Sequence, residues 1–306
     1  MTRTFRLWVI ALAALFTAVP FRAIYAQPAS RTQLIVLGTG TPIPDPERSG
    51  PAVAIVVDSV AYLFDAGAGV IRRAAAAARS GVTALQAPRI GILFLTHLHS
   101  DHTMGLNDVM FTPWIQSRKV PLELYGPPGT RRMVTGLLDA YAEDIRERLA
   151  ASGGPAPGGD SAVVHEVSEG EIFTDARVSI RAFAVPHSGW KHAFGYRIRT
   201  PDNVIVISGD ARANPAIARE CNGCDILVHE VYSDSGFSTI PPLRQRYHAN
   251  AHTSATQLGE IATAARPKLL ILYHQLYFGA TDDILLSEVR SRFGGRVVSA
   301  KDLDRY

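Results

Sequence analysis

The chain has 306 residues, 47% hydrophobic and 19% charged, which is ample apolar side chain for a core and excludes disorder as its main description. Two Cys exclude a disulfide scaffold or a Cys-rich zinc module. The formal net charge is +3, from 31 Lys and Arg against 28 Asp and Glu.

Residues 1–26 read as an export signal and 27–306 as one domain. Arg3 and Arg6 precede an apolar run from Leu7 to Val19, and Ala26 offers a small residue before Gln27. The run is short for a membrane span of about 20 residues. A periplasmic or secreted protein is therefore expected, with no stable membrane insertion after cleavage. Losing Arg3, Arg6 and Arg22 leaves 28 basic and 28 acidic residues. A domain that grips nucleic acid usually carries a basic excess, and none is present overall.

Strands are predicted at Gln33–Leu37, Ala52–Val57, Ala61–Phe64, Ile90–Thr96 and Leu122–Tyr125. Helices are predicted at Val70–Arg79 and Thr130–Leu149. The Gly38-Thr-Gly40 stretch lacks the further elements of a nucleotide fingerprint and reads as a tight turn. Ser152–Asp160 is a Gly/Pro surface loop rather than a domain boundary. Beyond it, strands are predicted at Val178–Val185, Ala193–Arg199, Asn203–Ser208, Asp225–Val228 and Lys268–Tyr273. Helices follow at Pro215–Glu220, Ser254–Ala265 and Asp282–Arg292. Two β-then-α halves predict an α/β fold, a four-layer αββα sandwich.

The chemistry concentrates after strands. His97-Leu-His99-Ser-Asp101-His102 follows a buried-type strand. His97 and His99, two apart, project to one side of an extended chain. Such a cluster would stay unpaired in an apolar core, whereas imidazole and carboxylate donors suit a metal. His187, Asp210 and His274 each follow a predicted strand in the same way.

This order of motifs resembles the metallo-β-lactamase superfamily, and more closely its ribonuclease Z-like and arylsulfatase-like branch. LGTGTP at 37–42, FDAGAG at 64–69, YGPPGT at 125–130, HSGWKHAFGY at 187–196, LVHE at 227–230 and AHTSATQ at 251–257 extend the resemblance over residues 33–276. It implies two zinc ions, with Mn²⁺ or Fe²⁺ as other metals such donors accept. His97, His99 and His187 would hold the first. Asp101, His102 and His274 would hold the second, and Asp210 would bridge them. A metal-bridging hydroxide would attack the substrate. Asp101 would also serve as general base and His252 as proton donor, with Glu230 bonded to His252 and raising its pKa. Asp65 would orient a ligand His. His248 competes with His252 for the donor role. His229 reads as buried or supporting, and His165 as solvent-exposed. A homodimer is implied by resemblance alone.

The sequence also departs from the branch. Relatives that process tRNA usually carry a long arm between the Gly-Tyr and the Ser-Gly-Asp. Here eleven residues, Arg197–Ile207, separate Tyr196 from Ser208. Ala211 stands where Thr is usual, and His274 sits in YHQLYFG. The expectation is an exported dinuclear zinc hydrolase cleaving a small ester, a phosphodiester or an aryl sulfate, with no tRNA partner. The alternatives are a ribonuclease Z-type endonuclease without the arm and a non-catalytic periplasmic metal-binding protein. All seven ligand positions are filled, which favours an enzyme. Arg48, Arg244 and Arg246 could form an anion clamp, and Trp114 and Trp190 an aryl pocket. Cys221-Asn-Gly-Cys224 reads equally as a disulfide or as two buried thiols.

Overall fold

A computed structural model describes residues 30–306; the predicted export signal lies outside the described residues. The first half runs β1 (Thr32–Gly38), β2 (Ala52–Val57), β3 (Val60–Phe64), α1 (Val70–Arg79), β4 (Ile92–Phe94), α2 (Ser100–Thr103), α3 (Leu106–Ile115), β5 (Leu122–Gly126), α4 (Thr130–Ala140), α5 (Ala142–Ala150) and β6 (Ala162–Glu166). The second runs β7 (Gly170–Thr174), β8 (Ser179–Ala184), β9 (Phe194–Arg199), β10 (Val204–Ile207), α6 (Pro215–Cys221), β11 (Ile226–Tyr232), α7 (Asp234–Thr239), α8 (Pro242–Ala251), α9 (Ala255–Ala265), β12 (Leu269–Leu276), α10 (Asp282–Arg290) and β13 (Val297–Ser299).

The strands form two sheets, ordered β1-β2-β3-β4-β5-β6 and β13-β12-β11-β10-β9-β8-β7. Alternation along the strands builds three apolar layers. In β1, Ile35 and Leu37 face α1 and α3, whereas Leu34 and Val36 face the second sheet. In the second sheet, Ile205 and Ile207 face inward while Val206 faces α6 and α9. Between the sheets, Phe64, Phe94 and Tyr125 stack with centroids 5.1 and 4.9 Å apart. The expected αββα sandwich is thus formed.

Strand polarity positions the site. β10, β11 and β12 pair in parallel. β8 and β10 each run antiparallel to β9, so they also point the same way. The C-terminal ends of all four strands therefore meet at one edge. Phe194 N–H joins the sheets there by donating to the Thr96 carbonyl at 2.9 Å.

Several predicted elements are corrected. The helix expected over Thr130–Leu149 is two, α4 and α5, broken at Tyr141. The Tyr141 hydroxyl accepts from Asn107 and its ring lies 4.8 Å from Phe111, which holds the break against the core. β4 is three residues long, and β11 and β12 run past their predicted ends. The Ser152–Asp160 loop is pinned at Ala156, whose carbonyl accepts from Trp114, and at Gly159, whose carbonyl accepts from Arg118. Trp114 is fully buried there and lines no aryl pocket. The Gly38–Gly40 turn is as read. A Cβ on Gly38 would lie 1.9 Å from the Gly50 carbonyl oxygen, so the backbones touch.

Arg118 is 3% exposed. Its guanidinium donates to the carbonyls of Ile90, Val109, Met110 and Gly159 at 2.7–3.1 Å, tying α3 to two loops. Burial pushes its pKa down to about 10, still charged at neutral pH. Arg118→Met would leave four buried carbonyls unpaired. At ~1–3 kcal/mol for each unsatisfied group, partly relieved by relaxation, the variant should lose ~3 kcal/mol or more. The urea unfolding midpoint checks this; a midpoint equal to wild type would show that the carbonyls find other partners.

Candidate metal centre

Each predicted ligand is placed at that common edge by local backbone geometry. The chain leaves β4 through Leu95 and Thr96 and delivers His97 and His99, and α2 then presents Asp101 and His102. His187 follows β8 and Asp210 follows β10. His274 is more specific. Sequence places it just beyond a strand, but β12 continues to Leu276 and His274 is an extra residue within it. Glu230 pairs with Tyr273 and Val231 with Gln275, so His274 is bulged out, with φ +45°. Such a bulge re-aims one side chain without ending the strand. Asp65, at the end of β3, also has a positive φ, +62°. Left-handed backbone at non-glycine residues is costly and collects at functional sites.

The side chains converge in two groups. His97, His99, His187 and Asp210 form one, and Asp101, His102 and His274 the other; within each, the donor atoms lie within 4.8 Å of one another. His99 Nδ1 is 3.0 Å from both His97 Nε2 and His187 Nε2. Asp210 reaches both groups: Oδ1 is 3.3 Å from His102 Nε2, and Oδ2 is 3.5 Å from His274 Nε2 and 3.9 Å from His187 Nε2. Ligands around one tetrahedral zinc, each at ~2.0–2.1 Å, stand roughly 3.3 Å apart, so these separations fit. Buried His102 Nε2 and Asp210 Oδ1 have no hydrogen-bond partner among the described residues. The donor set fits two divalent cations.

The opposite ring nitrogens are tied down. His102 Nδ1 donates to Asp65 Oδ2 at 2.8 Å, and His187 Nδ1 to the Ala251 carbonyl at 2.7 Å. His97 Nδ1 lies 3.0 Å from Thr96 Oγ1, which itself bonds Asp65. The Trp190 indole N–H donates to His99 Nε2 at 2.6 Å. Trp190 thus orients a histidine, a role its reading as a pocket wall missed; its place three residues after His187 was the available signal. Asp65 has the supporting role expected of it.

Charge is arranged around Asp210. Burial opposes its ionisation, but His274 and His102 hold its carboxyl well below the usual range. Burial likewise opposes charge on His102, yet Asp210 and Asp65 raise it well above an ordinary imidazole. Burial, aided by His102, pushes His97 well down.

The Glu230–His252 pair corrects an expectation. His252 Nδ1 is 3.3 Å from Glu230 Oε2, in contact but without a hydrogen bond, and neither atom has another hydrogen-bond partner among the described residues. Glu230 does not hold His252 charged. Burial pushes His252 down to about 4, and burial with the Asp210 charge pushes Glu230 well above the carboxylate range. Both shifts favour the neutral form of each group. The other Glu230 oxygen accepts from the Thr253 and Ala211 N–H groups, fixing the loops after β10 and before α9.

The remaining candidates separate. His248 packs 5.4 Å from His252, and burial lowers it to about 4. His229 is buried, its Nδ1 bonded to the Glu230 carbonyl. His165 is half-buried, stacked on Tyr125 and bonded to Glu123, rather than free in solvent. Arg48 is no anion clamp: it donates to the Thr39 carbonyl and to Gln275, and lies over the Tyr277 ring. Arg244 and Arg246 are exposed on α8. Cys221 and Cys224 are joined in a disulfide.

Asp65→Asn keeps a side chain that tolerates left-handed backbone but weakens the hold on His102. It should lower metal affinity roughly 10–100-fold, read by competition with a chelator. Unchanged affinity would remove Asp65 from the supporting network.

A family model described as a Beta-lactamase superfamily domain matches residues 61–275. A ribonuclease Z of Mycolicibacterium gilvum is 35% identical over 282 residues, covering 89% of this chain and 95% of that protein. A ribonuclease Z of Mycobacterium marinum is 31% identical over 281 residues, covering 89% and 97%. The metallo-beta-lactamase fold protein YhfI from Bacillus subtilis superposes with a TM-score of 0.67 at 17% identity, covering 90% of this chain and 98% of that one, a likeness of fold. The expectation that excluded tRNA is not supported, because relatives matched along nearly their whole length bear the ribonuclease Z name. The chain belongs to the metallo-β-lactamase superfamily, in its ribonuclease Z-like branch.

Proposed function

We propose that the protein is a metal-dependent phosphodiesterase of the ribonuclease Z type, hydrolysing a phosphodiester bond in RNA. The observation that carries this reading is Asp210, within reach of both donor groups, in a chain that aligns with ribonucleases Z almost end to end. His97, His99 and His187 would hold one zinc ion, Asp101, His102 and His274 a second, and Asp210 both. Two such ions supply Lewis acidity toward a phosphoryl oxygen and lower the pKa of water toward 7.

The protein's own groups handle the protons. Asp101 lies at the rim of the centre, held to His274 Nε2 at 3.1 Å, and would accept a proton from the attacking water. Glu230 and His252 would work as a neutral relay. Protonated Glu230 Oε2, 3.3 Å from His252 Nδ1, would close to a hydrogen bond and give its proton to Nδ1 as His252 Nε2 gives one to the leaving oxygen. Neither group needs to be charged beforehand, which suits their burial. Glu230→Gln should lower kcat on RNA by ~10²–10⁴-fold, the usual reach of general acid catalysis. It should leave bis-p-nitrophenyl phosphate within a few-fold, because p-nitrophenolate departs unprotonated. Equal losses on both substrates would count against the relay.

A second reading, an exported hydrolase of small esters, is favoured by the Cys221–Cys224 disulfide, which suits an oxidising compartment, and by the short β9–β10 turn. Purified residues 27–306, loaded with zinc, separate the readings on a 3′-extended RNA, bis-p-nitrophenyl phosphate and p-nitrophenyl sulfate. RNA cleavage lost in Asp210→Ala, together with bound metal, is the expected result. Sulfate turnover without RNA cleavage would replace the ribonuclease reading with an arylsulfatase one.

A further inference from the structure

Helix α8 runs up to the metal centre and leaves most of its length exposed. Only His248 and Ala251 of its ten residues are buried. Its C-terminal end is bound to the site. The Ala251 carbonyl accepts from His187 Nδ1, and the Asn250 carbonyl from the Ser188 N–H at 3.0 Å. Arg244, Tyr247 and His248, spaced i, i+3 and i+4, share one face. His248 anchors that face, with its ring 4.7 Å from Phe278 and 5.4 Å from His252. Tyr247 sits edge-on to His248 at 5.1 Å and is 46% exposed. Arg244 in turn bears on His248. Leu243, 75% exposed, continues the apolar edge.

A nucleotide is a flat ring joined to a phosphate anion. An exposed aromatic ring one helical turn from an exposed guanidinium, on a helix whose C-terminal end is bound to the centre, matches that pair of features. A single-stranded end is bound mainly by stacking on aromatic side chains and by cationic contacts to phosphate. We propose that α8 holds the RNA strand at the centre: Tyr247 stacks on the base next to the scissile phosphate, and Arg244 takes the phosphate on that nucleotide's far side. This rests on the RNA-cleaving reading above and adds to it the residues that distinguish a polynucleotide from a small diester, which offers Arg244 no second phosphate and Tyr247 only a ring not held from two sides by a backbone.

The test uses zinc-loaded protein with two substrates, a 3′-extended RNA and bis-p-nitrophenyl phosphate, for wild type, Tyr247→Ala, Tyr247→Phe and Arg244→Ala. Metal content and circular dichroism confirm that the variants are intact. Tyr247→Ala should raise KM for RNA about tenfold or more while leaving the small diester within twofold. Tyr247→Phe keeps the ring and should stay near wild type on both. Arg244→Ala should raise KM for RNA and flatten its dependence on salt. An unchanged RNA KM in Tyr247→Ala, or the same loss on both substrates, overturns the assignment of α8 while wild-type RNA cleavage still stands. Wild type that hydrolyses the small diester but neither binds labelled RNA nor cuts it overturns the ribonuclease reading itself, and this inference with it.

Discussion

Seven nitrogen and oxygen donors gathered around one point, most of them wholly buried, are the constraint on which the rest of the structure depends. Unpaired polar groups in a dry interior are expensive, and like charges there more so. The surroundings answer this in detail. Asp65 takes His102 Nδ1 and both the N–H and hydroxyl of Thr96. Ala251 takes His187, and Trp190 meets His99. Left-handed backbone at Asp65 and His274 is tolerated because these bonds and the adjoining strands over-determine it. The sandwich is the scaffold that makes such crowding affordable, since four strand ends of one polarity arrive at the same edge without crossing.

Much of this was legible in the residues. Buried strands announce themselves by runs such as Ala52–Val57, and a ligand directly after a strand is a local pattern that needs no tertiary knowledge. What escaped depends on contacts that have no local signature. The bulge at His274 is a register difference between β11 and β12, invisible in either strand alone. Helix α8 carries no apolar stripe, because it packs through His248 and Ala251 only, so periodicity could not find it. Arg118 looks like any surface arginine until four carbonyls from three stretches of chain close around it. Asp302 accepts from Thr39 and Ser49 and fixes the loop after β1 from the far end of the sequence. The electrostatics of the Glu230–His252 pair rest on the same hidden depth. Proximity of an acid to a histidine suggests a charged donor, but the depth of burial, which sequence does not report, decides in favour of the neutral forms.

The chemistry and the choice of substrate separate cleanly in this molecule. The donor set and Asp65 would serve any phosphodiester, and the Glu230–His252 pair those whose leaving oxygen needs a proton. Selection would then belong to α8, which carries Arg244 and Tyr247 exposed. An even balance of charge over residues 27–306 is compatible with RNA if grip is local, through one stacking ring and a few cations, rather than through a broad basic surface.

The short turn between β9 and β10 has a consequence of its own. β10 points its C-terminal end at the metal centre, so the turn that precedes it, Thr200–Asn203, sits at the opposite edge of the sandwich. Asp202 clamps it there, accepting from Ser30, the Arg31 N–H and Thr200. Any segment grafted into this turn would meet a substrate only at a distance, as a ruler does, and would leave the reacting bond untouched. Reach and reactivity can therefore be inherited independently along this chain: lengthening one turn changes which molecules are measured, and no residue of the centre has to move.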